Sequence, residues 1–131
     1  MLQVESQLKI VDNSGAKRAK CISVNKKGKN PSATIGMLIL ISLKKFSNRK
    51  KINKRTIYIG LIVGISYWIN RIDGSCIKLF SNRLLLFNKQ FKFLGTRIYG
   101  SILKEVRVNS LTRGGNKKYF QKIFSYSSSI I

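Results

Sequence analysis

The sequence predicts a mostly β protein: a small closed five-stranded β-barrel with one or two short helices near its C-terminal end. Two observations carry that expectation. Apolar and polar residues alternate with a period of two through most of the chain, in short runs separated by turn residues. The runs are rich in β-branched residues, and strands of that kind would present adhesive edges unless the sheet closed on itself. The chain has 131 residues, enough for one core, so a single domain over 1–131 is expected, with the barrel over about 1–100 and a helical segment over about 101–125.

A first strand is expected over residues 3–11, with Leu8 and Ile10 on one face and Lys9 on the other. The DNSG stretch at 12–15 is turn chemistry. Asp and Asn side chains bond backbone amides two residues on, and Gly15 supplies a positive φ. Asp12 is one of only four acids, yet it stands directly before a basic run. It is read as a structural carboxylate that closes this turn, so that the following cations project outward.

A second strand covers 16–24, and KKGKNPS at 26–32 is a solvated basic loop. The third strand, 34–46, is apolar on both faces, and 44–55 (KKFSNRKKINKR) forms a basic loop or extended arm. The fourth, 56–69, places Ile57, Ile59, Leu61, Val63 and Ile65 on one face and Tyr58, Gly60, Ile62, Gly64 and Trp68 on the other. Two glycines on one face fit tight curvature or close backbone approach. Asp73-Gly74 signals a hairpin that returns the chain into CIKLF and LLLF. In GTRIYG (95–100) the bracketing glycines permit unusual backbone angles, and Arg97 and Tyr99 project from a short strand; an ordinary strand between two turns reads equally well. After Gly100 the period changes. Ser101 is the expected cap of a helix carrying Glu105 and Arg107, YFQKIFSY reads as a second helix, and SYSSSII as a weakly ordered tail.

The charge balance narrows the function. There are 26 Lys+Arg against 4 Asp+Glu and no His, a formal net charge of +22. Such a charge opposes compaction unless counter-charge is bound, and phosphate backbones are the commonest polyanion. An anionic membrane surface is the other candidate, but no strongly amphipathic helix favours it. The most apolar stretch, IYIGLIVGISYWI at 57–69, is 13 residues long, short of the roughly 18–20 that span a bilayer. Catalysis is disfavoured: without His there is no base of unperturbed pKa near neutrality, and the acids are scattered singly. Cys21 and Cys76 have no companions at metal-ligand spacing and are read as two buried free thiols, a disulfide being the alternative. No enzyme, cofactor or metal is expected.

Two basic runs are candidate contacts. In the 44–55 run these are Lys44, Lys45, Arg49, Lys50, Lys51, Lys54 and Arg55, which repel one another unless a polyanion lies across them. In KRAK they are Lys17, Arg18 and Lys20, some of which could simply face water. Phe87, Phe91 and Phe93 interleave with cations in FNKQFKF. Core packing is the expected fate of these rings; stacking on single-stranded bases is the alternative, and would make the chain a free-standing small-barrel binder of single strands. Phe, Tyr, Met, Ile, Asn and Lys total 60 residues against 22 for Gly, Ala, Arg and Pro, the usage of an AT-rich genome, organellar or bacterial. The N-terminal MLQVESQLKIV alternates and carries Glu5, unlike a signal or transit peptide.

DNSGAKR (12–18), the apolar strand before a basic loop, RIDGSCIKLFSNRLLLFN (71–88) and GTRIYGSILKEVR (95–107) occur in this order. Together they resemble family fourteen of the universal large-subunit ribosomal proteins over about residues 1–125. The resemblance implies a closed five-stranded barrel with short C-terminal helices and a structural, rRNA-binding role in the large subunit. It further implies a position facing the small subunit, intersubunit bridges to its rRNA, neighbouring large-subunit proteins, and a docking surface for the ribosome-silencing factor. By position, Lys17, Arg18 and Lys20, with Arg49, Lys50, Lys51, Lys54 and Arg55, match rRNA-contacting segments; Thr96, Arg97 and Lys122 match the subunit-interface or silencing-factor surface. The chain departs from the family at Met37, where Asp is usual, at Ser101, where Pro is usual, at ISYWIN (65–70), where basic residues are usual, and by an insertion around 110–118. With the AT-rich usage and no presequence, these departures suggest a mitochondrial member, with a plastid as second choice.

Overall fold

The computed structural model describes residues 1–24, 31–47, 52–53, 55–107 and 117–131. Its strands are β1 (Gln7–Ile10), β2 (Ala16–Val24), β3 (Leu38–Phe46), β4 (Ile57–Gly64), β5 (Ile69–Asn70), β6 (Cys76–Ile77), β7 (Arg83–Phe87), β8 (Ile98–Ile102) and β9 (Ser127–Ile130), with one helix at Lys117–Tyr126 and a helical turn at 105–107. Five strands close into the expected barrel in the order β1-β2-β3-β4-β7, the seam being a parallel pairing of β1 with β7. The pairs β5-β6 and β8-β9 form two separate small sheets.

Strand alternation fills the barrel. Ile39, Ile41, Ile62, Leu84 and Leu86 are all at most 1% exposed, and the pairs Ile39↔Gly60, Ile41↔Tyr58, Gly60↔Leu86 and Ile62↔Leu84 put them on one face. Gly60 has a packing reason: a Cβ there would stand 1.9 Å from Leu84 Cδ1. The outer face is covered as well, at Leu61, Val63 and Leu85. Leu94 N donates to Leu86 O (3.2 Å), Leu103 N donates to Val63 O (3.3 Å), and the Phe93 ring lies 5.7 Å from that of Phe87. The unbroken apolar run of β7 is therefore that of a strand buried on both faces.

Asp12 does close the DNSG turn, Oδ1 accepting from Ser14 N at 2.9 Å and from the Ser14 hydroxyl, with Gly15 at φ 98°. Its other oxygen reaches across the seam and accepts from Leu86 N at 2.9 Å. Here β1 has already ended, and the carboxylate takes the place of the next ladder carbonyl. This buried role also explains why an acid survives beside a basic run.

Several expectations are corrected. The first strand is β1 alone, because Glu5 at φ 73° interrupts the ladder before it. The third begins at Leu38 because Gly36, at φ 78°, turns the chain just before it. The fourth ends at Gly64, where a register shift opposite Arg83 breaks the pairing; Trp68 leaves the inner face and is 58% exposed. Lys44 and Lys45, expected both at the end of the third strand and at the start of the basic loop, belong to the end of β3. Ser101 caps no helix: it lies in β8, and the tail is ordered as β9, which adds to β8 in parallel and so satisfies its edge. Cys21 is buried but Cys76 is exposed, and both are free thiols. The Asp73-Gly74 hairpin and the helix over YFQKIFSY are as expected, with Gly74 at φ 82°.

Candidate nucleic-acid interface

The ladder registers assemble a row of cations. Lys9 of β1 pairs with Arg18 of β2 on one side and Arg83 of β7 on the other, and Arg18 pairs with Lys45 of β3. Arg83, Lys9, Arg18 and Lys45 thus stand side by side across four hydrogen-bonded strands. Like charges directly opposite one another in a sheet destabilise it, so this row costs stability in the free protein and is relieved by an anion lying across it.

Local backbone geometry widens the row. Register shifts flank Arg18 in the β2-β3 ladder, and the irregularity turns both Lys17 and Arg18 outward while Ala16 and Ala19 stay buried. Strict alternation would have hidden one of the two cations. A groove of about 580 Å³ runs past these side chains, lined by Lys9, Lys17, Arg18, Lys45, Ser81 and Asn82. Arg83 is tethered at one end, its Nη1 donating to Ser101 O at 3.0 Å.

The remaining candidates divide. Lys20 is half-buried and its Nζ lies 3.2 Å from Glu5 Oε1, so a protein carboxylate already answers its charge. Lys44 is exposed on β3, and Arg55 is exposed before β4. Arg49, Lys50, Lys51 and Lys54 lie outside the described residues, as does the 110–118 insertion up to residue 116. Sequence reasoning missed Lys9 and Arg83. Alternation marks Lys9 as outward-facing, but only the register reveals that it joins Arg18 and Lys45.

Thr96 and Arg97 are exposed and are held by the DNSG turn. Asn13 Oδ1 accepts from Thr96 N (2.8 Å) and Arg97 N (3.3 Å), Asn13 Nδ2 donates to Thr96 Oγ1 (2.8 Å), and Asn13 N donates to Arg97 O (3.2 Å). Tyr99 is exposed beside them, with Arg97 5.9 Å from its ring centre. Gly95 is needed for closeness: a Cβ there would lie 2.9 Å from both Asp12 Cβ and the Phe93 ring. Lys122 is exposed on the C-terminal helix, whose last residue, Tyr126, stacks on Phe93 at 6.1 Å.

The Phe cluster does not form a stacking surface. Phe87 is buried, Phe93 is half-buried between Phe87 and Tyr126, and Phe91 alone is exposed, at a turn with φ 57°. Core packing thus takes two of the three rings. No helix among the described residues is long and apolar enough to cross a membrane.

The comparison with known families agrees with this geometry. The family model for ribosomal protein L14p/L23e matches residues 1–131. The match covers the barrel, the cationic rim and the C-terminal sheet together, and the chain therefore belongs to the ribosomal protein L14p/L23e family, structural proteins of the large ribosomal subunit.

Proposed function

We propose that the protein binds large-subunit rRNA through the cationic row and the groove beside it, and that the Thr96–Arg97 segment with Lys122 faces the small subunit. The observation that carries the reading is the alignment of Arg83, Lys9, Arg18 and Lys45 on neighbouring strands. A rigid barrel fixes the spacing of these charges, and duplex RNA is recognised through backbone and shape more than through base edges. The basic residues at 49–51 and 54 would extend the same contact. In this reading the protein is a structural component that neutralises converging rRNA segments, neighbours other large-subunit proteins, and contributes to intersubunit bridges with small-subunit rRNA. Thr96, Arg97 and Lys122 would also form the docking surface for a ribosome-silencing factor. The AT-rich residue usage supports assignment to the mitochondrial ribosome.

The test is sedimentation of native ribosomes before and after a wash at about 0.5 M salt, which collapses purely electrostatic binding. Co-sedimentation with the large subunit after the wash is expected. Release to the top of the gradient would sink the structural-component reading.

A further inference from the structure

The β5-β6 hairpin carries a second feature, apart from the cations of the row itself. One face, with Ile69 and Ile77, packs against the core. The other holds Trp68, Asn70, Cys76 and Lys78: Asn70 pairs with Cys76 in the ladder, Cys76 Sγ lies 3.1 Å from Asn70 Oδ1, and Lys78 Nζ sits 5.7 Å from the Trp68 ring centre. Trp68 is 58% exposed, its neighbour Tyr67 61%, and Phe80 is fully exposed. Aromatic rings left this open forfeit apolar burial that an arriving partner would recover.

Two observations say what that partner is. The first is continuity with the groove. Asn82 lines it, and Asn82 Oδ1 also accepts from Ser66 N at 2.8 Å and lies 3.0 Å from Ser66 Oγ, which ties the groove wall to the segment entering Tyr67 and Trp68. Phe80 stands next to Ser81, another groove-lining residue. A strand whose phosphates follow the groove would run onto these rings. The second is charge and shape. Arg71 of the hairpin is matched by Glu105 at 2.6 Å, while Lys78 stays exposed over the indole. Lys78 is exposed with its Nζ beside the Trp68 ring, so this face is positive as well as aromatic. Rings beside a cation, at the end of a phosphate groove, suit an unpaired nucleotide: π-face for the base, ammonium for its phosphate.

We infer that Trp68, with Tyr67, Phe80 and Lys78, forms a stacking platform for an unpaired base of the RNA strand that occupies the cationic groove. The inference rests on the rRNA-binding reading and adds a base-stacking contact to it. Trp68 is the sole tryptophan, so its emission reports on the platform directly.

The experiment titrates the intact chain with single-stranded RNA about a dozen nucleotides long, and separately with inorganic polyphosphate. RNA is expected to quench Trp68 emission, while polyphosphate binds without quenching. Trp68→Ala, followed by anisotropy of end-labelled RNA, and Phe80→Ser, followed by either signal, should each weaken RNA binding about tenfold with an unchanged salt slope. Wild-type RNA affinity in both variants, with no quenching of Trp68 in the parent chain, would remove the platform and leave the rRNA reading intact. Absence of RNA binding by the parent chain would overturn that reading and the platform together. Emission that responds to rRNA-free large-subunit proteins but not to RNA would overturn the inference in favour of a protein neighbour.

Discussion

The Asp12 carboxylate accepts a hydrogen bond from Leu86 N across 74 positions of sequence, at 2.9 Å, and this contact continues the barrel seam where β1 stops. The same carboxylate binds Ser14 N, so one side chain closes the first turn and extends the last ladder. Asp12→Ala leaves buried donors without their acceptor, at about 1–3 kcal/mol for each unsatisfied group. A stability loss of about 2–4 kcal/mol in urea unfolding is expected, with Asp12→Asn intermediate because the Leu86 contact needs only an acceptor. A loss below about 0.5 kcal/mol would show that water replaces the carboxylate.

Gly60→Ala tests the packing of the barrel interior. The added methyl meets Leu84 Cδ1 at 1.9 Å, and Ile41 closes the other side at 3.4 Å. Overpacking of this kind costs about 1–3 kcal/mol, so a lower thermal midpoint is expected. Gly60→Ala combined with Leu84→Val, which trims the clashing side chain, should recover part of the loss.

The cationic row makes a prediction about salt rather than about stability. Replacing Lys9, Arg18 and Lys45 with Gln should flatten the dependence of log K for rRNA fragments on log salt by about 2, at roughly 0.7 for each phosphate that is no longer neutralised. The free protein should be slightly more stable for the change, because the like charges are removed. Lys20→Gln, by contrast, should barely change the slope, since Glu5 already neutralises Lys20.

Arg71 clamps the C-terminal sheet. Its guanidinium grips both oxygens of Glu105, at 2.6 and 3.2 Å, and donates to Ile131 O at 2.8 Å. Arg71→Ala should speed amide exchange at Lys104 and Ile131, which close the same corner, while β3 and β4 amides keep their protection. Uniform acceleration would mean that the corner and the barrel open as one unit.

The two cysteines should separate by reactivity. Burial pushes the Cys21 thiol up from its ordinary range, an effect that a backbone hydrogen bond with Ser23 only partly opposes. Cys76 is exposed. At a pH of about 8 an alkylating reagent should modify Cys76 promptly and Cys21 only on unfolding.

Where local chemistry acts on its own, the sequence was a sufficient guide. Alternation put Leu8 and Ile10 on one face, which is the buried one, DNSG and Asp73-Gly74 specified turns, and the second strand has the bounds expected of it. The motifs at 12–18, 71–88 and 95–107 specified the family. The candidate site was legible only in part. Lys17 and Arg18 were visible as cations, but their shared outward orientation depends on a ladder irregularity, and their union with Lys9, Lys45 and Arg83 depends on register. Register is a property of strands distant in sequence, and neither composition nor periodicity carries it.

The same distinction explains the errors. SYSSSII has little to hold it locally, yet an open edge of β8 satisfies its backbone groups, so it becomes a strand. Trp68 continues the alternation of β4, but the pairing ends at Gly64 and the ring emerges into solvent. Asp12 carries turn chemistry in its neighbours, while its second bond needs Leu86 brought alongside by barrel closure. The sequence by itself determined charge, turns, strand faces and family, because these follow from residues near one another along the chain. Only the tertiary structure decided which cations share a row and which rings stand free, because closing the barrel sets neighbours that are far apart in sequence.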